Sequence, residues 1–123
     1  MTKTQKSSDD KRKIVAVDLD DTLTIDGYIL DLWKMSLTDL ENFYISVKPR
    51  KDIIEKVNKL YDKGCIIYIF SSRWDLFQHI TKHWLKQNCV KFHYITLNKA
   101  YYDILIDDKA TTPEEMDKWL KNL

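Results

Sequence analysis

The chain contains four short apolar runs, and each run ends in polar or acidic side chains. They cover residues 14–18, 65–71, 92–97 and 103–107 and are rich in isoleucine, valine and tyrosine. Their apolarity is nearly continuous rather than alternating, which is typical of strands buried on both faces of a parallel sheet. We therefore predict a central parallel β-sheet with a crossover connection between successive strands.

Helical periodicity occupies the connections within residues 49–64 and 72–88. A last helix is predicted to open at Thr112, with Pro113 in its first turn and Glu115 completing a capping box. The apolar stripes of the first two helices consist of Ile53, Ile54, Val57, Leu60 and Tyr61, and of Leu76, Phe77, Ile80, Trp84 and Leu85. Alternation of strands with helices predicts an α/β fold with right-handed crossovers.

At 123 residues the chain is large enough for one hydrophobic core but not for two. Residues 1–12 lack hydrophobic periodicity and are predicted to be a disordered lead, which leaves residues 13–123 as a single domain. Residues 24–47, which we call the flap, fit the alternation least well because they mix aromatic with acidic residues after an Asp-Gly turn signal. We interpret the flap as a short hairpin with a helical turn near residues 37–42.

Composition argues against several classes of function. The net charge is +1, so no global field favours nucleic acid or an anionic membrane as a partner. No apolar run approaches the roughly 20 residues of a membrane span, and the N-terminus lacks the apolar core of a signal peptide. Cys65 and Cys89 lack metal-type spacing, and two such thiols favour the reducing cytoplasm, which is the location we expect.

Candidates for a functional site follow from the rule that ligands of an open parallel sheet bind outside the carboxyl ends of its strands. The polar residues at or near those ends are Asp18 and Asp20 after the first run, Ser71, Ser72 and Arg73 after the second, Lys99 ahead of the fourth, and Asp107 and Asp108 at its end. Carboxylates, hydroxyls and a lysine are therefore expected along one edge of the sheet.

The four acidic candidates, Asp18, Asp20, Asp107 and Asp108, would repel one another unless a cation lay among them or a proton were shared. Carboxylate oxygens are the preferred ligands of hard cations, and Mg²⁺ is the usual occupant of such a site. Because Mg²⁺ commonly binds a few carboxylates, water and a substrate phosphate, this pattern predicts a phosphorylated substrate.

The basic and hydroxyl candidates suit the phosphate of that substrate. Lys99 would contribute a point charge and Ser71 a hydroxyl donor. Ser72 and Arg73 lie beside them, and Arg73 either binds substrate or pairs with an acid.

These motifs resemble those of the haloacid dehalogenase (HAD) superfamily of phosphohydrolases, over residues 13 to about 115. The family pattern D-x-D-x-T, Ser, Lys and acidic pair is matched by Asp18-Leu19-Asp20-Asp21-Thr22, Ser71, Lys99 and Asp107-Asp108. One departure is Ala100, which follows the lysine where relatives often have proline. The resemblance implies a Rossmannoid three-layer sandwich with a central parallel sheet and a short flap after strand 1.

The resemblance also implies a role for each motif. Asp18 would be the nucleophile that forms an aspartyl-phosphate intermediate, and Asp20 would be the general acid and then the base. Mg²⁺ would bind Asp18, the backbone carbonyl of Asp20 and the Asp107-Asp108 pair. The serine and lysine motifs would stabilise the transferring phosphoryl group.

Motif spacing leaves no room for a cap domain. Asp18 and Ser71 are separated by 53 positions (71 − 18), and Ser71 and Lys99 by 28 (99 − 71). An open site suits a bulky substrate or closure by a neighbouring subunit, so a homo-oligomer stays open. The chain looks most like small capless bacterial and phage proteins similar to capsule-biosynthesis phosphatases, which implies a small phosphorylated metabolite such as a sugar phosphate.

Two alternatives to that function stay open. The segment DILIDDK is similar to one found in nucleotidases and polynucleotide phosphatases, so a nucleotide substrate remains an alternative. The other is a non-catalytic binding protein of the same fold. Aromatic residues of the flap (Tyr28, Trp33, Phe43 and Tyr44) could stack on a base or sugar, although we favour a small core of the flap itself.

Overall fold

The computed structural model describes residues 12–27, 29 and 31–121. Within this part, the strands are β1 (Ile14–Asp18), β2 (Thr24–Ile25), β3 (Lys48–Pro49), β4 (Ile66–Phe70) and β5 (Tyr94–Thr96), and the α-helices are α1 (Leu37–Ser46), α2 (Lys51–Asp62), α3 (Gln78–Gln87) and α4 (Asp117–Lys121). The predicted disordered lead lies, apart from Arg12, outside the described residues.

A parallel sheet of three strands in the order β1–β4–β5 is the centre of the fold. Asp18 pairs in register with Phe70, and Phe70 pairs with Thr96, so the strands end at the same edge. The predicted α/β architecture with a central parallel sheet is confirmed at this level, and the carboxyl ends of the three strands share one edge.

Helix α2 forms where its apolar stripe predicts it. Helix α3 begins at Gln78, after the first two members of its predicted stripe, and one of these, Leu76, is 61% exposed. Gly64 adopts a φ of +99° after α2, a left-handed conformation that suits glycine, and its N–H donates to the Tyr61 carbonyl. A single turn of 3₁₀ helix, Asp75–Phe77, precedes α3. These helices pack on the sheet in a core that includes Val17, Ile53, Val57, Leu60, Ile67, Ile69, Trp84 and Leu85.

The flap differs from the short hairpin that we predict, because a whole helix separates the two strands that pair. β2 and β3 pair antiparallel, Thr24 with Pro49 and Ile25 with Lys48, and so close its two ends. Between them α1 spans ten residues rather than one turn, and the Ser36 hydroxyl oxygen caps it by accepting from the Asp39 N–H. The flap therefore has its own helix, which packs against α3 through a second small core of Leu40, Tyr44 and Phe77.

The prediction of a fourth strand at residues 103–107 was wrong. This segment lies outside the sheet, and residues 101–112 are exposed, with Ile104 77% and Ile106 92% exposed. Isoleucine and leucine favour a strand by packing on a pleated surface, and these side chains face solvent instead. Short hydrogen bonds hold the backbone in turns, such as the one from the Lys109 N–H to Asp107 Oδ1.

The expected burial of β1 on both faces is also incorrect. Val17 is buried, but Ala16 is exposed and Ile14 is 68% exposed. Exposed and less exposed residues alternate along β1, so one face of this strand is open to solvent. In the described part of the chain no strand pairs with the outer side of β1, so it is an edge strand of the sheet.

The last helix begins later than its capping pattern predicts. Residues 113–116 form turns, and α4 begins at Asp117. Thr112 and Glu115 do interact, but the Thr112 hydroxyl donates to Glu115 Oε1 rather than to a backbone group. The predicted contact exists without the reciprocal bonds of a capping box.

Candidate active site

The loop after β1 is a tight turn that fixes the direction of the first two acidic candidates. The carbonyl of Leu19 accepts hydrogen bonds from the N–H groups of Thr22, Leu23 and Thr24. Asp21 takes a φ of +64°, and its N–H donates to Thr24 Oγ1, which is fully buried. The turn leaves Asp18 half-exposed at the edge of the sheet and directs Asp20 inward.

Gly27 joins this turn to the flap at a point of very close packing. Its N–H donates to Asp21 Oδ1, and it is buried. A Cβ atom here would overlap Thr24 Oγ1 and lie 2.9 Å from Asp20 Oδ1. The position therefore excludes any side chain.

We expect Gly27→Ala to lower the free energy of unfolding by about 1–3 kcal/mol, the usual cost of overpacking. The methyl group would push Thr24 away from the Asp21 N–H. Urea unfolding followed by tryptophan fluorescence measures the effect. An unchanged unfolding midpoint would contradict the packing described for this turn.

Backbone hydrogen bonds between two strand ends bring Ser71 and Lys99 together. The Ser71 N–H donates to the Thr96 carbonyl, and the Lys99 N–H donates to the Ser71 carbonyl. The Lys99 side chain then reaches across the sheet edge, with Nζ 3.1 Å from Asp18 Oδ1. The structure thus assembles three predicted site residues, namely Asp18, Ser71 and Lys99.

Arg73 is a buried arginine that binds Asp20. Its Nε and one terminal nitrogen donate to the two carboxylate oxygens at 3.0 and 2.8 Å, and the other terminal nitrogen donates to Thr81 Oγ1. The guanidinium carbon lies 4.0 Å from the centroid of the Tyr44 ring. Of the two predicted roles of Arg73, pairing with an acid is the one seen, and none of its side chain is exposed to substrate.

Burial raises the pKa of Asp20 above its ordinary value, although the hydrogen bond and charge of Arg73 act in the opposite direction. The nearby charges of Asp18 and Asp21 raise it further. The pKa of Tyr44 is also raised, mainly by burial and then by the charge of Asp20. Asp20 and Arg73 therefore form a desolvated pair near the half-exposed Asp18.

Sequence reasoning missed Thr81 as a partner in this network and Thr24 as the residue that holds the turn. Thr81 carried a usable signal, because it falls within the apolar stripe of α3 between Phe77 and Trp84. A buried polar side chain needs a hydrogen-bond partner. For Thr24, the sequence contained no comparable signal.

Asp107 and Asp108 are not beside Asp18 in this structure. Both are exposed, and Asp108 lines a surface cavity of about 620 Å³ together with Lys13 and Ile14, at the opposite end of β1 from Asp18. Across the described residues, no three His, Cys, Asp or Glu side chains come together in a way that could hold a metal ion. As placed, the residues do not fit the predicted Mg²⁺ site, and the neighbours that offset the first two carboxylates are Lys99 and Arg73.

The remaining sequence candidates separate into exposed and buried groups. Ser72 is exposed and contributes its backbone to the loop after β4. In the flap, Tyr44 is buried and Phe43 half-buried, which confirms the interpretation of these two as core. Trp33 is exposed and its ring lies against Trp74, whereas Tyr28 falls outside the described residues.

Comparisons with known proteins add information about the fold. A solved crystal structure of a structural-genomics target from Vibrio cholerae matches with a TM-score of 0.65 and 26% sequence identity, covering 89% of this chain and 98% of that chain. No family model matches the sequence, and no curated protein is similar to it. The match supports the α/β fold with its parallel sheet over nearly the whole chain.

None of the helices in the described residues combines the length and the apolarity needed to cross a bilayer.

Proposed function

We propose that this protein is a phosphomonoester phosphatase of the HAD type that uses Asp18 as its nucleophile. The observation that carries the proposal is the contact between Asp18 Oδ1 and Lys99 Nζ at the carboxyl edge of the sheet, with Ser71 held beside it by backbone hydrogen bonds. A half-exposed carboxylate next to a lysine and a serine is suited to phosphoryl transfer, which depends on positioning and charge stabilisation.

In the first step, an oxygen of Asp18 would attack the phosphorus atom and form an acyl phosphate, while the bond from phosphorus to the leaving oxygen breaks. Lys99 would stabilise the negative charge on the transferring oxygens. The Ser71 hydroxyl, which is buried here and accepts from the Arg73 N–H, would do so by turning toward them. In the second step, water would attack phosphorus, and the bond to Asp18 would break to release inorganic phosphate and the free carboxylate.

Asp20 would give a proton to the leaving oxygen and then take one from the attacking water. Burial raises the pKa of Asp20, which favours the protonated form that the first step needs, while both of its oxygens accept from Arg73 in this structure. Arg73 favours the ionised form, which suits the base of the second step. One residue would thus alternate between two protonation states within a fixed pair.

The lysine provides the direct test of this site. We expect Lys99→Met to reduce kcat for an aryl phosphate by about 100- to 1,000-fold, because it removes one charged group that stabilises the transition state. Lys91→Met is the matched control, since Lys91 forms an exposed ion pair with Asp62 on the surface. Steady-state kinetics of both variants measures the effect, and equal activity of Lys99→Met and wild type would overturn the assignment of Lys99.

We also propose that Mg²⁺ acts at this site, where it would offset the repulsion between Asp18 and the phosphate. A complete cation site requires the Asp107-Asp108 pair next to Asp18. The likeness of Asp107-Asp108 to the acidic pair of the HAD superfamily supports this proposal, although the pair lies away from Asp18 in this structure.

This cation site is testable through the acidic pair. We expect Asp108→Asn to raise the Mg²⁺ concentration needed for half-maximal activity by about 10- to 100-fold. Asp103→Asn is the control, as it changes an exposed acid in the same segment that is not assigned to the metal. Activity that is unaffected by a chelator would overturn the proposal for Mg²⁺ while leaving the nucleophile to be tested separately.

For the substrate we propose a small phosphorylated metabolite such as a sugar phosphate. Asp18 is 46% exposed, so its carboxylate is accessible to a phosphate from solution. A panel of sugar phosphates and nucleoside monophosphates, compared by kcat/KM, would test this choice. A preference of tenfold or more for nucleotides would contradict it.

A further inference from the structure

Two aromatic rings lie beside the ammonium group of Lys99. Its Nζ atom lies 5.0 Å from the centroid of the Phe70 ring and 5.5 Å from that of the Tyr102 ring. Only 12% of the lysine side chain is exposed. Lysine side chains are mostly exposed in proteins, so this one is held in place by its neighbours.

The two rings come from different parts of the site. Phe70 is the last residue of β4 and pairs in register with Asp18, so its position is set by the sheet. Tyr102 lies three residues beyond Lys99 in the exposed segment outside the sheet. Both rings are partly exposed themselves, and they leave the ammonium group directed at Asp18 Oδ1.

We infer that Phe70 and Tyr102 are positioning residues that hold the Lys99 ammonium group against Asp18 and the phosphoryl group. This inference rests on the proposed function and adds to it a role for two side chains without catalytic chemistry. Cation–π attraction and the covering of the lysine stem restrict the side chain to one direction. Because the lysine side chain is already restricted before substrate binds, it loses less conformational entropy when the transition state forms.

The inference predicts a specific kinetic pattern. A cation–π contact of this kind corresponds to about a 2- to 30-fold effect. Phe70→Leu and Tyr102→Leu keep an apolar side chain but remove the ring, so each is expected to lower kcat for an aryl phosphate by that factor with little change in KM. The aromatic variants Phe70→Tyr and Tyr102→Phe are expected to retain wild-type kcat.

The decisive experiment repeats the leucine variants in the Lys99→Met background. If the rings act through the lysine, Phe70→Leu and Tyr102→Leu will cause no further loss there. An equal loss in both backgrounds would overturn the inference, and so would an unchanged kcat in the single variants. Tyr94→Leu is the control, because Tyr94 is an exposed aromatic residue of the same sheet whose ring contacts Tyr68 and His93.

The contact between Lys99 and the rings can also be tested if the proposed function is wrong. If the wild-type protein hydrolyses no phosphate ester, the contact can still be measured by a double-mutant cycle for urea unfolding with Phe70→Leu and Lys99→Met. Coupling that changes the unfolding equilibrium constant about 2- to 30-fold would support the contact without catalysis. Independent, additive effects would overturn it.

Discussion

Replacing Asp18 by asparagine is expected to lower kcat for an aryl phosphate by about 10⁴-fold or more, since loss of a covalent nucleophile is among the largest single effects in enzymes. Asparagine has nearly the same shape, but its amide oxygen is a far weaker nucleophile than a carboxylate. Because Asp18 is 46% exposed, its ion pair with Lys99 contributes at most about 1 kcal/mol to stability, so the variant should fold normally.

Asp62→Asn is the matched control for this variant. Asp62 also forms an ion pair with a lysine, Lys91, but it lies at the end of α2 and away from the site. Its activity should equal that of the wild type. Substantial activity in Asp18→Asn, with an unfolding midpoint like that of the wild type, would contradict the assignment of the nucleophile.

The second large effect concerns stability. We expect Arg73→Met to lower the free energy of unfolding by about 3–5 kcal/mol, the usual cost of removing one partner of a buried ion pair. The Asp20 carboxylate, with its side chain only 18% exposed, would remain desolvated without the donors that now satisfy it. A domain of this size is commonly stable by about 5–15 kcal/mol, so the loss would be visible at once in urea unfolding.

Two further variants make this prediction specific to the pair. Adding Asp20→Asn to Arg73→Met should recover part of the lost stability, because the buried charge is then absent. Arg50→Met is the control, since the ion pairs of Arg50 with Asp52 and Glu114 are partly exposed to solvent. This variant should change the free energy of unfolding by about 1 kcal/mol or less. Equal effects of Arg73→Met and Arg50→Met would show that the Asp20 pair is not the stabilising contact described.

Much of the fold could be predicted because the sequence patterns that indicate its helices and strands are local. The apolar stripes of α2 and α3 repeat at the spacing of a helix, and the strands β1, β4 and β5 are apolar runs with polar ends. The rule that ligands bind at the carboxyl ends of parallel strands then placed Asp18, Ser71 and Lys99 at one edge, where they are found.

The sequence could not show which segments pair with one another when they are far apart along the chain. The run at residues 103–107 has the composition of a strand, but composition does not reveal whether a partner edge is occupied. The sequence likewise left two roles open for Arg73, namely binding substrate and pairing with an acid. Only the positions of Asp20 and Thr81 distinguished them. The cations that offset the first two aspartates come from residues 53 and 81 positions away along the chain.

Trapping the covalent intermediate tests the central claim most directly. The protein would be mixed with a labelled phosphomonoester in the presence of Mg²⁺, quenched in acid within one turnover, digested, and examined by mass spectrometry. The account predicts a phosphoryl group on Asp18 that is absent from the Asp18→Asn variant. Label on a different residue, or rapid hydrolysis without any labelled protein, would contradict it.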